Sequence, residues 1–116
     1  MSFKSGRDTS VDLSATVTSE GFVIGQDSKV SVHAVISNTN AVGTLGLESS
    51  NDGSNWVAVA FEDENGVTQT TLAVASGVDT NHMFIMPAFA DNHLRYVYTS
   101  TSGAATGNFY ALKKRY

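Results

Sequence analysis

The feature that most restricts the fold of this 116-residue chain is a repeated alternation of apolar and polar residues. Two runs show it most clearly, one from Val11 to Val17 and one from Val30 to Ile36. A period of two indicates β-strands with one buried face. Turn residues interrupt the pattern at intervals of about 8–12 residues, and no window has a helical period with caps. The sequence therefore predicts an all-β fold, an antiparallel β-sandwich of jelly-roll type with about eight short strands.

A strand–turn–strand unit is predicted for residues 45–59. Asn51, Asp52 and Gly53 are residue types that tolerate or require positive φ, which a short hairpin turn needs to match the twist of its strands. Trp56, the single tryptophan of the chain, opens the second strand, and we predict that its ring belongs to the core. Residues 56–61 are apolar at every position, which predicts a strand that is buried on both sides.

The length of the chain fits one domain with one core. We predict a flexible N-terminal arm over residues 1–10, because residues 1–9 show no clear period, and a single β-sandwich domain over residues 11–116. The chain contains no cysteine, and its first twelve residues include no apolar run typical of a secretory signal. No stretch approaches the roughly 18 apolar residues of a membrane helix. We therefore expect a soluble protein that is made in the cytoplasm and has no membrane partner.

Charge is divided unevenly along the chain. Residues 8–112 contain two cations and all eleven acids, a net charge of −9, whereas five of the seven Lys and Arg residues lie near the two ends. An acidic body argues against nucleic-acid binding. Basic ends suit an acidic partner surface, although they also occur for solubility alone. We predict that partner contacts are made by the end residues Phe3, Lys4, Arg7, Lys113, Lys114, Arg115 and Tyr116.

No catalytic or cofactor-binding pattern is present in the sequence. The chain has three histidines, none of them spaced as a local metal pair: His33, His82 and His93. Asp52 with Asn51 and Asn55 offers oxygen ligands suited to calcium, but a turn rich in Asn and Asp explains the same residues. The adjacent acids of residues 62–64 splay apart in a turn. Because a Gly-x-Ser-x-Gly motif and a glycine-rich phosphate loop are also absent, we predict a protein without enzymatic activity, cofactor or metal.

Four aromatic residues lie on the last two predicted strands, which we expect to pair as a hairpin: Tyr96, Tyr98, Phe109 and Tyr110. Their rings either pack across the strands into the core or form an exposed platform for a sugar or a neighbouring subunit. Packing into the core is the favoured interpretation, because cross-strand aromatic pairs stabilise sheets.

Residues 45–56, with Ser49-Ser50-Asn51-Asp52-Gly53-Ser54-Asn55-Trp56 at their end, resemble the hairpin of discoidin-like jelly-roll domains. They are still more similar to a hairpin in small β-sandwich virion proteins of tailed bacteriophages. In those proteins a Leu-Arg strand, a Thr-Ser-Gly turn and a short last strand follow, as they do here over residues 94–98, 101–103 and 109–114. The likeness covers roughly residues 45–115. Discoidin domains usually carry a disulfide and bind sugars or lipids through protruding loops, whereas this chain has no cysteine and short loops.

The phage resemblance implies a non-enzymatic structural protein of the virion: capsid decoration, a head fibre base, or a neck or tail component. Its partners would be other virion proteins or copies of itself, and we expect a homo-oligomer. The alternative is a small carbohydrate-binding module that attaches to a cell surface or a polysaccharide. A virion protein of this kind is expected to be a stable oligomer, whereas a binding module is expected to be a monomer with an exposed aromatic platform.

Overall fold

The fold is known from a computed structural model, which describes residues 6–23, 28–89 and 93–115. All regular structure in these residues is β-strand. The strands are β1 (Arg7–Asp12), β2 (Val17–Thr18), β3 (Phe22–Val23), β4 (Ser28–Asn38), β5 (Val42–Ser50), β6 (Val57–Val59), β7 (Phe61–Glu62), β8 (Thr68–Gln69), β9 (Leu72–Val74), β10 (Thr80–Phe89), β11 (His93–Ser102) and β12 (Ala105–Arg115).

The strands form two antiparallel sheets, as the sequence predicts. The first sheet has the order β1-β12-β4-β10-β7-β8 and the second β2-β11-β5-β6, with β3 joined to β11 and β9 joined to β5. The long strands alternate between the sheets along the chain, from β4 and β5 to β10, β11 and β12. With β1 and β2 entering at the edge of each sheet, this is the jelly-roll order of interlocked Greek keys.

The core lies between the inward faces of the two sheets. In β4 the residues at even positions, from Val30 to Ile36, are at most 2% exposed, and Leu45 and Leu47 face them from β5 as the alternation predicts. The rings of Tyr96 in β11 and Phe109 in β12 stack with centroids 3.8 Å apart and planes 11° apart. This aromatic contact therefore joins the two sheets across the core, beside the edge strands β1 and β2.

The last two long strands do not pair as a hairpin, which corrects our expectation. β11 pairs with β5, β2 and β3, whereas β12 pairs with β1 and β4. Because β11 and β12 belong to opposite sheets, Tyr96 of β11 and Phe109 of β12 meet across the core. Tyr96, Tyr98 and Phe109 are fully buried, as the packing interpretation predicts, and Tyr110 is half-buried with its side chain on the outer face of the first sheet.

Three predicted strands are divided between the sheets or shortened. The alternating run from Val11 to Val17 consists of the end of β1 in the first sheet and the start of β2 in the second. Residues 68–75, where alternating β-branched residues also predict a strand, contain β8 and β9, which again belong to different sheets. The strand predicted over residues 56–61 is only three residues long as β6, and Val57 is 66% exposed, so this strand is not buried on both sides.

The predicted N-terminal arm is shorter than residues 1–10. Arg7–Asp12 forms β1, which pairs with β12 at the edge of the first sheet, and Gly6 accepts a hydrogen bond from the backbone N–H of Ala111 at 2.7 Å. Residues 7–10 of the predicted arm therefore belong to the sandwich. Residues 1–5 lie outside the described part of the chain.

The chain contains one proline, Pro87, which we expected at a strand end, an edge or a bulge. It lies in β10, where the pairing register with β4 shifts between Met86 and Phe89. A proline cannot donate a ladder hydrogen bond, so the interrupted register accommodates it without losing a regular pair.

Candidate interaction surfaces

The β5–β6 hairpin is closed by a loop whose polar side chains bind its own backbone. Asp52 Oδ1 accepts hydrogen bonds from the N–H groups of Ser54 and Asn55, both at 2.8 Å. Ser50 Oγ accepts from the N–H groups of Asp52 and Gly53. Gly53 has a φ of 77°, as predicted, whereas Asn51 and Asp52 do not adopt positive φ. The loop is therefore longer than the predicted tight turn, and its oxygen atoms cap backbone donors.

Acidification is expected to weaken this loop. The backbone N–H of Asn55, with its side-chain amide and the N–H of Ser54, holds the pKa of Asp52 well below its usual range. A carboxylate whose pKa is lower in the folded than in the unfolded state contributes stability above the unfolded pKa of about 4 and loses it as pH falls further. We expect Asp52→Asn to lower the melting temperature at pH 7 and this difference to shrink toward pH 2. An equal difference at both pH values in a calorimetric scan would contradict the assignment.

Trp56 lies on the outer side of the second sheet and not in the core, which corrects our prediction. Its ring is half-buried, and the guanidinium carbon of Arg95 lies 4.2 Å from the ring centroid. Arg95 is held in place by Glu48, whose Oε1 accepts from Nε at 2.7 Å and from Nη2 at 2.6 Å. His93 contacts the ring edge with centroids 6.3 Å apart. The arginine thus covers one face of the Trp56 ring.

The adjacent acids that follow β7 point in different directions, as expected of a turn. Glu62 lies on the outer face of the first sheet, while Asp63 is buried and accepts hydrogen bonds from the N–H groups of Asn65 and Val67. Glu64 accepts from the N–H of Met83 at 3.1 Å and pairs with His82. The hydrogen bonds from Val67 and Met83 lower the pKa of Asp63 and Glu64, respectively. Asp63 and Glu64 therefore have structural roles.

The basic residues predicted to contact partners are grouped by the fold at one edge of the first sheet. Arg7 lies in edge strand β1 opposite Tyr110 of β12, with its guanidinium carbon 5.7 Å from the ring centroid. Lys113, further along β12, donates a hydrogen bond to the backbone carbonyl of Val23 at 3.1 Å. The backbones of Lys114 and Arg115 complete β12. The remaining predicted contact residues, Phe3, Lys4 and Tyr116, lie outside the described residues.

A second surface, which the sequence analysis did not assign, is the outer face of the first sheet. We call it the first-sheet face. It is formed by the outward side chains of β4, β10 and β12, and its apolar members are Val35, Met83, Ile85, Tyr110 and Leu112. Leu112 is 57% exposed and the other four are half-buried. The sequence contains one signal of this face, because the strand over residues 81–90 is apolar on both sides. This signal alone does not distinguish a buried strand from a strand at an interface.

Strand register determines which side chains are neighbours on the first-sheet face. Tyr110 of β12 pairs with His33 of β4, which pairs with Met83 of β10. In the neighbouring row Leu112 pairs with Ser31, and Ser31 with Ile85. The polar side chains of His33 and Ser31 therefore lie between the apolar side chains of each row. Met83, Ile85 and Leu112 nevertheless line one shared pocket on this face.

The first-sheet face has opposite charges at its two sides. Arg7 extends the Tyr110 row at the β1 side, and Glu62 extends the Ile85 row at the β7 side.

Among residues 6–23, 28–89 and 93–115, no group of three or more His, Asp or Glu side chains is arranged to hold a metal ion. The same residues contain no helix long and apolar enough to cross a membrane.

The comparisons with known proteins give one informative result. The fold is similar to the crystal structure of the SPBc2 prophage-derived protein YomS, with a TM-score of 0.67 over 93% of this chain and 91% of that chain. Sequence identity between the two is 14%, so the similarity concerns the fold. No family model matches the chain, and no curated protein matches its sequence.

Proposed function

We propose that this chain is a non-enzymatic structural protein of a bacteriophage particle and that copies of it associate through the first-sheet face. The observation that carries the proposal is the group of apolar side chains on the outer side of the first sheet, where Met83, Ile85 and the exposed Leu112 line one pocket. An exposed apolar patch with polar surroundings is typical of an interaction site, because covering it removes apolar area from water.

The distribution of charge favours a second copy as the occupant of this face. If two copies pack face to face about a two-fold axis parallel to the strands, the β1 side of one lies over the β7 side of the other. Arg7 of each copy then lies near Glu62 of its partner, and both charge pairs form by symmetry. A stable interface of this kind buries roughly 800 Å² per partner.

Two further features support a role in a phage particle. YomS, whose fold is similar, is described as prophage-derived. Only 16% of the residues are charged, compared with about 25% in an average soluble domain, which suits a protein that covers much of its surface with neighbours. The places in the particle that this proposal covers are the capsid decoration, the head fibre, the neck and the tail.

The first experiment measures the mass of the purified chain by sedimentation equilibrium and compares two matched variants. Leu112→Glu places a charge on the first-sheet face, and Val78→Glu places the same charge at an equally exposed residue in the loop before β10, since both side chains are 57% exposed. We expect an oligomer of the 12.3 kDa chain whose dissociation constant rises about tenfold or more in Leu112→Glu and is unchanged in Val78→Glu. A parent chain that stays monomeric at millimolar concentration would overturn the proposed association.

The second experiment tests the arrangement with charge reversal. Arg7→Glu and Glu62→Arg are each expected to weaken association, and the double variant is expected to restore it. If the double variant associates more weakly than either single variant, the two residues do not face each other.

A third experiment tests attachment to the particle. A tagged chain should co-sediment with phage particles, whereas retention on polysaccharide by a monomer would favour the carbohydrate-binding alternative.

A further inference from the structure

A cleft opens where the edge strands of the two sheets diverge. It lies between β1 of the first sheet and β2 of the second and has a volume of about 320 Å³. Its walls include Val11, Val17 and Tyr96, with the polar residues Asp8, Thr18 and Ser19. The cleft is separate from the first-sheet face, because β1 and β2 turn these residues toward the space between the sheets.

The local shape of β1 forms one wall of the cleft. The register with β12 shifts between Asp8 and Val11, and Ser10 within this bulge has a φ of 56°. Among the described residues Ser10 is the one non-glycine residue with positive φ. Its backbone N–H donates to Asn108 Oδ1 at 2.9 Å, which satisfies a donor that the bulge removes from the ladder. A bulge of this kind bends an edge strand and redirects its side chains.

Asp8 has a buried carboxyl group, and one of its two oxygen atoms has no hydrogen-bond partner among the described residues. The side chain is 6% exposed, and its Oδ2 accepts a hydrogen bond from the Tyr96 hydroxyl at 2.8 Å. No donor from the described residues lies within hydrogen-bonding distance of Oδ1. Removing a carboxylate from water without a full set of donors or a countercharge is strongly unfavourable. A cationic donor that reaches this carboxyl group would supply the missing partner.

We propose that this cleft binds the side chain of a lysine or arginine from another polypeptide, with its cationic group at Asp8. A water molecule takes up about 30 Å³ in the liquid, so the cleft is much larger than a bare ion needs and has room for an extended side chain. The valine and tyrosine walls suit the methylene groups of such a side chain, while the carboxylate and hydroxyl oxygens suit its cationic end. The cleft lies at the open edge of the sandwich, where another chain can approach.

The composition of the cleft does not favour a divalent metal. Calcium is bound by six to eight oxygen atoms, usually several of them from carboxylates. Asp8 and Glu20 are the only carboxyl groups among the described residues that line this cleft. The walls formed by Val11 and Val17 offer no side-chain ligand to a metal ion, but they do offer contact area to an aliphatic chain.

The experiment follows backbone amide shifts of the purified chain by NMR during titration with N-acetyl-lysine and N-acetyl-arginine methylamides. N-acetyl-norleucine methylamide, which keeps the aliphatic chain and lacks the charge, is the ligand control. We expect saturable shifts in residues 8–11 and 17–20 with at least one cationic probe and none with norleucine. Asp8→Asn should raise the dissociation constant about tenfold or more. Asp12→Asn, the same change on the exposed end of β1, should leave it unaltered.

Two outcomes would overturn the proposal. Saturable shifts of these residues with calcium chloride but with neither cationic probe would make the cleft a metal site. No response to any probe in a folded parent chain would mean that Asp8 needs no external cation. If Asp8→Asn does not fold, Val17→Lys gives an independent test, because a lysine built into the wall should abolish binding of the probes. Since the titration detects binding on a single chain, its result does not depend on whether the first-sheet face associates.

Discussion

Phe109→Ala is expected to lower the free energy of unfolding by about 3–5 kcal/mol, the range for removing a buried phenylalanine side chain. The ring is fully buried and stacks on Tyr96 of the opposite sheet with centroids 3.8 Å apart. Its Cε2 atom also lies 2.9 Å from the position that a Cβ on Gly107 would take, so the ring packs directly on the backbone of its own strand. Truncation therefore removes contacts to both sheets and leaves a cavity between them.

Tyr110→Ala is the matched control for this prediction. It truncates an aromatic ring at the next position of β12, but Tyr110 is half-buried on the outer face, beside His33 and Arg7. We expect a loss of no more than about 1 kcal/mol in the monomer. Urea unfolding of both variants provides the comparison. Similar losses for the two variants would show that the inward and outward faces of β12 are assigned incorrectly.

The alternation of residues predicted the faces of the strands well, because a period of two depends only on which side is buried. Val32 and Leu47 are buried, as their positions in the pattern predict. The pattern did not identify which sheet a strand joins. In a sandwich both sheets point their apolar side chains at the same core. A chain that crosses from one sheet to the other, as between β1 and β2, therefore keeps its alternation without a visible break.

The bulge in β1 explains why the first strand was interpreted as an arm. A bulge inserts an additional residue and shifts the alternation, so Asp8 and Leu13 both face inward although they are an odd number of residues apart. The bulge thereby removed the alternation of apolar and polar residues that would have indicated a strand over residues 7–10. A buried acid near the start of the chain also runs against the usual distribution of charged residues, so its role in a cleft is not visible in composition or spacing.

The prediction that the Trp56 ring belongs to the core was wrong for a different reason. A large aromatic residue beside a turn is usually placed in the core, because it brings the largest apolar area. Here the ring is covered by Arg95, which Glu48 holds on the same outer surface of the second sheet. Such a contact depends on the register between β5 and β11, where Arg95 pairs with Glu48. Register between strands 47 residues apart cannot be obtained from local pattern.

Gly103→Ala is expected to lower the free energy of unfolding by about 3–5 kcal/mol, through backbone strain together with a steric clash. Gly103 has a φ of 77°, and a Cβ at this position would lie 2.0 Å from the carbonyl oxygen of Asn40 and 2.5 Å from its carbonyl carbon. Both are backbone atoms, so no side chain can rotate away. The loop of Asn40 is also fixed to this turn, because Asn40 Oδ1 accepts from the N–H of Ala104 at 2.8 Å.

Gly66→Ala separates the cost of backbone strain from the cost of the steric clash. Gly66 has the same φ of 77°, but no atom lies within 4 Å of the position that its Cβ would take. We expect this variant to lose only the cost of positive φ for a residue with a side chain, about 1–2 kcal/mol. The difference between the two variants in urea unfolding then measures the close approach of the β4–β5 loop to the β11–β12 turn. Equal losses would show that this approach is absent in solution, and the two loops would then not close this end of the sandwich together.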